Sequence, residues 1–209
     1  MSAKNKARGL AVMLVGALAF APAAMAAPSV QLVSGHTTVA LSPDLLNALG
    51  SLGVAPDNVL PGGLHPTSNG ANIVFPIPTG ELDAAGPKLE ILHSGGLTLT
   101  AGDMRVALTS FIIENIGSSG RLQLTGVVKA NDTIVGRIPL FSIKLTQAPA
   151  VTAGSGTNAG RLTVRQARLT LTPRAAETLN GAFGLDGVFT AGFPIGTARI
   201  EARIRDLDG

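Results

Sequence analysis

The residues here best able to hold a ligand or move a proton are His36, His65 and His93. His36 stands in a Ser-Gly-His segment, His65 precedes Pro66, and His93 closes Ile91-Leu92 before Ser94-Gly95-Gly96. Each reads first as a solvated turn residue. None lies at metal-ligand spacing from another, and there is no Cys to complete a coordination set, so no metal site is expected. Hydrolysis by paired carboxylates would draw on Glu81, Asp83, Glu90, Asp103 and Glu114, but these fall at strand ends or on polar faces and read as solvated charge. A nucleophilic Ser needs a base and a sharp strand-to-helix turn to expose it. The nearest approach, Gly154-Ser155-Gly156, lies in a run of small residues that is a poor place to hold a reacting atom. No catalytic residue is therefore expected, and the chain does not read as an enzyme.

The elements that would position these residues are mostly strands. Val39–Leu41, Ile73–Ile77, Leu89–Leu92, Leu97–Leu99, Val106–Ile113, Leu122–Val128, Ile134–Leu145, Leu162–Leu171 and Ile195–Ile204 are short and rich in Val, Ile, Leu and Thr. Several alternate apolar and polar residues, as strands with one buried and one wet face do. Ser94-Gly95-Gly96, Gly117 to Gly120 and Asn131-Asp132 supply turn signals between them. The pattern predicts an all-β fold, an antiparallel sandwich or barrel-like domain, interrupted by two short helices. Both helices have the same start: Ser42-Pro43 before Asp44 to Leu49, and Thr172-Pro173 before Arg174 to Phe183, a hydroxyl N-cap followed by proline at the first helical position. Leu41-Ser42-Pro43 and Leu171-Thr172-Pro173 open a longer internal similarity that also takes in Phe75-Pro76-Ile77 and Phe193-Pro194-Ile195, and it predicts one unit used at both ends of the domain.

Residues 1–26 have the three parts of a secretion signal in order. Lys4, Lys6 and Arg8 precede an apolar run from Gly9 to Ala21, and Ala24-Met25-Ala26 offers a small-x-small cleavage site. The run is about 13 residues, short of the roughly 20 needed to span a bilayer. The expected mature chain, residues 27–209, is one β-rich domain, secreted or in the cell envelope, with no transmembrane segment and with a flexible Gly- and Ala-rich loop over 148–160. Without cysteines it must be held by burial alone, which a 45% hydrophobic composition permits.

Of the 16 Lys and Arg, three sit in the leader with none of the 13 acids, so the mature chain has balanced charge. The balance is uneven along its length: residues 27–120 hold only Lys88 and Arg105 as bases, whereas Lys and Arg dominate residues 121–209. With the bases scattered singly and no Trp or Tyr, no nucleic-acid groove is expected. The expected role is a non-catalytic binding or structural one, toward an unknown protein or an apolar ligand.

The segment Ile91-Leu92-His93-Ser94-Gly95-Gly96-Leu97-Thr98-Leu99 resembles the His-x-Gly-Gly-hydrophobic stretch of the HtaA family, with Gly80-Glu81-Leu82 before it and the Leu171-Thr172-Pro173 region after it in the same order. The likeness covers residues 70 to 200 loosely. Members of that family are exported bacterial haem-uptake domains built of strands with short helices. The resemblance implies haem as a possible cofactor and His93 as its cofactor-binding residue. The family's haem iron is typically bound by Tyr, and this sequence has none.

Overall fold

The computed structural model describes residues 29–83, 88–117, 119–152, 154 and 160–205; the expected leader lies outside them. Eight antiparallel strands close into a barrel. Starting from β1 (Ser29–Leu41), the ring runs through β13 (Pro194–Arg205), β12 (Gly160–Leu171), β10 (Thr133–Leu145) and β9 (Leu122–Ala130), then β8 (Met104–Asn115), β6 (Leu89–Leu92) and β5 (Thr79–Asp83), back to β1. Of the two expected forms, sandwich or barrel, the chain adopts the barrel. Closure joins β1 to β13, so among the described residues no long edge is left to pair with other chains.

Period-two alternation decides what faces inward. Along β13, Ala198, Ile200, Ala202 and Ile204 are buried while Arg199, Arg203 and Arg205 are exposed. Along β1, Thr37, Val39 and Leu41 form the buried set.

The ring forks at one place. β4 (Gly70–Ile77) and β5 act as one long partner of β1, interrupted only by Pro78, with Gly35 opposite Ile77 and Leu32 opposite Gly80. β6 and β7 (Gly96–Ala101) likewise form one partner of β8, interrupted by His93-Ser94-Gly95. β5 pairs with β6, but β4 and β7 part, and β2 (Ala55–Val59) and β3 (Gly63–Thr67) extend the two arms without pairing to each other, β2 on β7 and β3 on β4. The segment between them, with a cis Leu60–Pro61 bond, meets Gly95 at the fork. Gly95 has φ +87°, and a Cβ there would run into the Gly62 nitrogen and the Val59 carbonyl, which explains why a glycine stands at this point. Ser94-Gly95-Gly96 is thus not a hairpin turn but the break at which one strand changes neighbours.

The helices α1 (Pro43–Ser51) and α2 (Pro173–Phe183) begin as their sequences predict. Ser42 Oγ accepts from the Leu45 N–H (3.1 Å) and donates to the Pro194 carbonyl (2.7 Å). Thr172 Oγ1 accepts from the Ala175 N–H (3.1 Å) and donates to the Pro139 carbonyl (2.6 Å). Each hydroxyl caps a helix and fastens it to a barrel strand. Because β1 and β12 both run antiparallel to β13, they are parallel to each other, and the two helices leave the same end of the barrel. There they bury Leu45, Leu49, Ala175, Ala176 and Leu179.

Two further differences from the sequence reading bear on the site. Strands β2, β3 and β5 and the first part of β1 lie where no strand was expected. Within residues 148–160, Ala150–Thr152 forms a short strand, β11, that prolongs β10 along β12, while residues 153 and 155–159 lie outside the described residues.

Candidate functional site

His93 continues the inward series of Leu89 and Ile91 past the end of β6, so its side chain enters the barrel at the level of the fork. Its N–H donates to the Phe111 carbonyl on β8 (2.9 Å), and the next N–H, of Ser94, donates to the Pro76 carbonyl on β4 (2.9 Å). The backbone on both sides of the break is therefore tied down, and the imidazole is fixed where the two strands separate. It is 6% exposed, which overturns its reading as a solvated turn residue.

Inside, Nε2 of His93 lies 2.7 Å from Oγ1 of Thr37, itself buried on β1. Nδ1 has no hydrogen-bond partner. Burial pushes the imidazole down to about 4, and the nearby Phe111 and Ile91 carbonyls offset only part of this. The ring is neutral at physiological pH. Its Nδ1 carries either a lone pair or an N–H, according to which nitrogen is protonated, and is covered by the surrounding protein rather than exposed to the cavity. A buried polar atom left unpaired costs stability, so one held this rigidly calls for a reason.

The space around it is a cavity of about 200 Å³. Its walls are aliphatic apart from prolines, the edge-to-face pair Phe75–Phe111 (centroids 5.0 Å apart), Phe141, Thr37 and His93, and the surface facing the cavity is wholly apolar. No charged side chain lines it. At the helix end Leu41, Leu45, Leu49, Leu171 and Leu179 are buried, whereas at the opposite end Leu82, Leu89, Leu122 and Leu145 are half-buried and Val151 is exposed. The helices stopper one end, and the cavity opens toward the other through a rim of apolar side chains.

The remaining sequence candidates are not gathered here. His36 is exposed on the outer face of β1 opposite Glu201, and His65 is exposed on β3. Glu81, Glu90 and Glu114 stand in a row across β5, β6 and β8 on the outside, where Lys88 pairs with Glu81 at 2.7 Å. Ser155 lies outside the described residues. Among the described residues no group of three or more His, Cys, Asp or Glu could hold a metal ion. Sequence reasoning missed Thr37. The signal was present in the alternation Thr37, Val39, Leu41, which puts a hydroxyl on the buried face.

Three solved structures from Corynebacterium glutamicum share this architecture. The C-terminal domain of HtaA aligns over 84% of this chain and 99% of its own, with a TM-score of 0.61 and 15% identity. The N-terminal domain of HtaA gives 0.56 at 14% identity, again over 84% of this chain and 99% of its own. The heme binding protein HtaB gives 0.50 at 11% identity, over 85% of this chain and 96% of its own. No family model and no curated protein matches the sequence. The chain has the HtaA-type fold, as its His-x-Gly-Gly stretch led us to expect.

An iron porphyrin fits the residues present at one point and not at others. An imidazole is a suitable donor to iron, and Nδ1 of His93 has no hydrogen-bond partner, though protein covers it and the ring would have to turn to reach a metal. The cavity of about 200 Å³, however, lies below the roughly 300 Å³ at which pockets for larger organic ligands begin, its walls hold no cation to face a propionate, and there is no Tyr.

Proposed function

We propose that this chain is an exported, non-catalytic binding domain, a single unit over residues 27–209, whose barrel holds an apolar ligand against His93. One observation carries the reading: a closed barrel around a wholly apolar cavity of about 200 Å³, with the neutral imidazole of His93 fixed by backbone hydrogen bonds in its wall. Apolar walls are what small-molecule sites mostly consist of, and they give affinity by burial. Closure of β1 on β13 supports the single domain, since the first and last strands complete one ring. Export rests on the leader pattern in residues 1–26. A non-catalytic role is supported by the acids and the remaining histidines lying outside the cavity.

Haem is the second reading, favoured by the fold shared with the heme binding protein HtaB and by the free Nδ1. His93 would be the residue to hold it, and bound haem would supply an iron centre. Accommodating the macrocycle would require the half-buried rim to widen.

Both readings are tested by titrating the mature chain with haem and, separately, with an uncharged polycyclic fluorophore. The fluorophore should bind wild type and lose affinity when His93→Trp fills the cavity; failure to bind wild type would overturn the proposal. A haem spectrum that shifts on binding, and loses the shift in His93→Ala, would select haem. A spectrum unchanged by the protein would leave the smaller apolar ligand.

A further inference from the structure

The bases that are scattered singly through residues 121–209 come together in the fold. Lys144 on β10, Arg161, Arg165 and Arg168 on β12, and Arg199 and Arg203 on β13 are all exposed on the outside of three adjacent staves. Glu201 is the acid among them, and its contact with Arg161 (3.8 Å) is the one ion pair on this face among the described residues. The placement works against stability. Arg161 lies directly opposite Arg203 across β12 and β13, and Lys144 directly opposite Arg168 across β10 and β12. Side chains so placed are about 5 Å apart at Cβ, where like charges repel. Alternating signs would have removed the cost, so these repulsive pairs point to an anionic partner that relieves it.

The partner's chemistry follows from the shape and border of the face. The outer face of these staves is convex and carries no aromatic side chain, which suits dispersed phosphates rather than the stacked bases of a single-stranded nucleic acid. Guanidinium groups, five of the six bases, match phosphate oxygens in two-point contacts. At the border β11 continues the same sheet, and Val151 is left 64% exposed on the side turned to the cavity rim. We propose that the outer face of β10, β12 and β13 docks on an anionic phospholipid surface through these bases. The acidic row of β5, β6 and β8, on the far side of the ring, would then face away from the lipid and help set the orientation. The docked barrel would hold its apolar rim beside the bilayer.

The test is co-sedimentation of the mature chain with phosphatidylglycerol–phosphatidylcholine vesicles and with phosphatidylcholine vesicles alone. Binding should require the anionic lipid and weaken with salt. Each base near the surface contributes roughly fivefold to partitioning, so R161Q/R203Q should reduce it about thirtyfold. The same variant, having lost a repulsive pair, should melt no lower than wild type, separating loss of docking from loss of fold. Absence of binding to anionic vesicles would overturn the proposal. So would equal affinity for single-stranded DNA, or charge-dependent oligomers in light scattering without vesicle binding, which would assign the face to a second copy.

Discussion

The burial of His93 makes a prediction about acid stability that can be worked through quantitatively. In the folded chain the imidazole titrates at about 4, against 6.5 for an ordinary histidine. Between these values the unfolded chain binds a proton that the folded chain does not, so acid favours unfolding. The contribution is fully retained above pH 6.5, falls away as the pH drops toward 4, and is lost below that, where both states are protonated. A separation of that size corresponds to about 3 kcal/mol, a large part of the stability of a domain this size. The control is T37V/H93L, which replaces both hydrogen-bond partners by apolar groups and so leaves no orphan behind. With no Trp or Tyr in the chain, urea unfolding must be followed by far-ultraviolet circular dichroism. The other ionisable groups are common to both proteins, so the difference between the two isolates His93. Wild type should lose about 3 kcal/mol relative to the double variant as the pH falls from about 6.5 to about 4. A difference that stays constant over that range would refute the burial argument and, with it, the neutral imidazole on which the ligand site depends.

Two further perturbations address the frame around the site. Thr172→Val removes the N-cap of α2 and its bond to Pro139, and should cost about 1 to 2 kcal/mol in chemical unfolding, most of it recovered in Thr172→Ser. Gly95→Ala should cost more than about 3 kcal/mol, from left-handed strain and collision with the Gly62 backbone together. Gly102→Ala, also at positive φ but with open space around its Cβ, should cost only about 1 kcal/mol by the same measurement.

How much was legible in the sequence depended on whether local signals and the final environment agreed. Strands such as β12 and β13 were readable because alternation records a closed barrel with one wet face. The two helix starts were readable because a hydroxyl followed by Pro is a local device, and Ser42 and Thr172 do in the fold what they would do in a peptide. β2 (Ala-Pro-Asp-Asn-Val) and β3 (Gly-Leu-His-Pro-Thr) were not, since these residues disfavour strands; only the open edges of β7 and β4 make them extended. His93 failed for a related reason. Its neighbours Ser94, Gly95 and Gly96 look like a turn, but Gly95 is there for close approach to Gly62 and Gly96 for close approach to the Leu108 carbonyl on β8. The period-two placement of His93 after Leu89 and Ile91 was the better guide to its burial. The basic face could not be seen in the chain, because its charges lie on three strands that only the fold sets side by side.

The hydroxyl fastenings of the two helices have a mechanical consequence. Ser42 bonds to Pro194 and Ile195, and Leu171 exchanges bonds with Gly192 and Phe193, so both helix entrances are riveted to the same few residues leading into β13. Displacing either helix must disturb the anchorage of the other, and that pole behaves as one bolted plate. On the proposed binding role, a ligand would enter and leave by the unbolted pole, past Leu82, Leu89, Leu122 and Leu145.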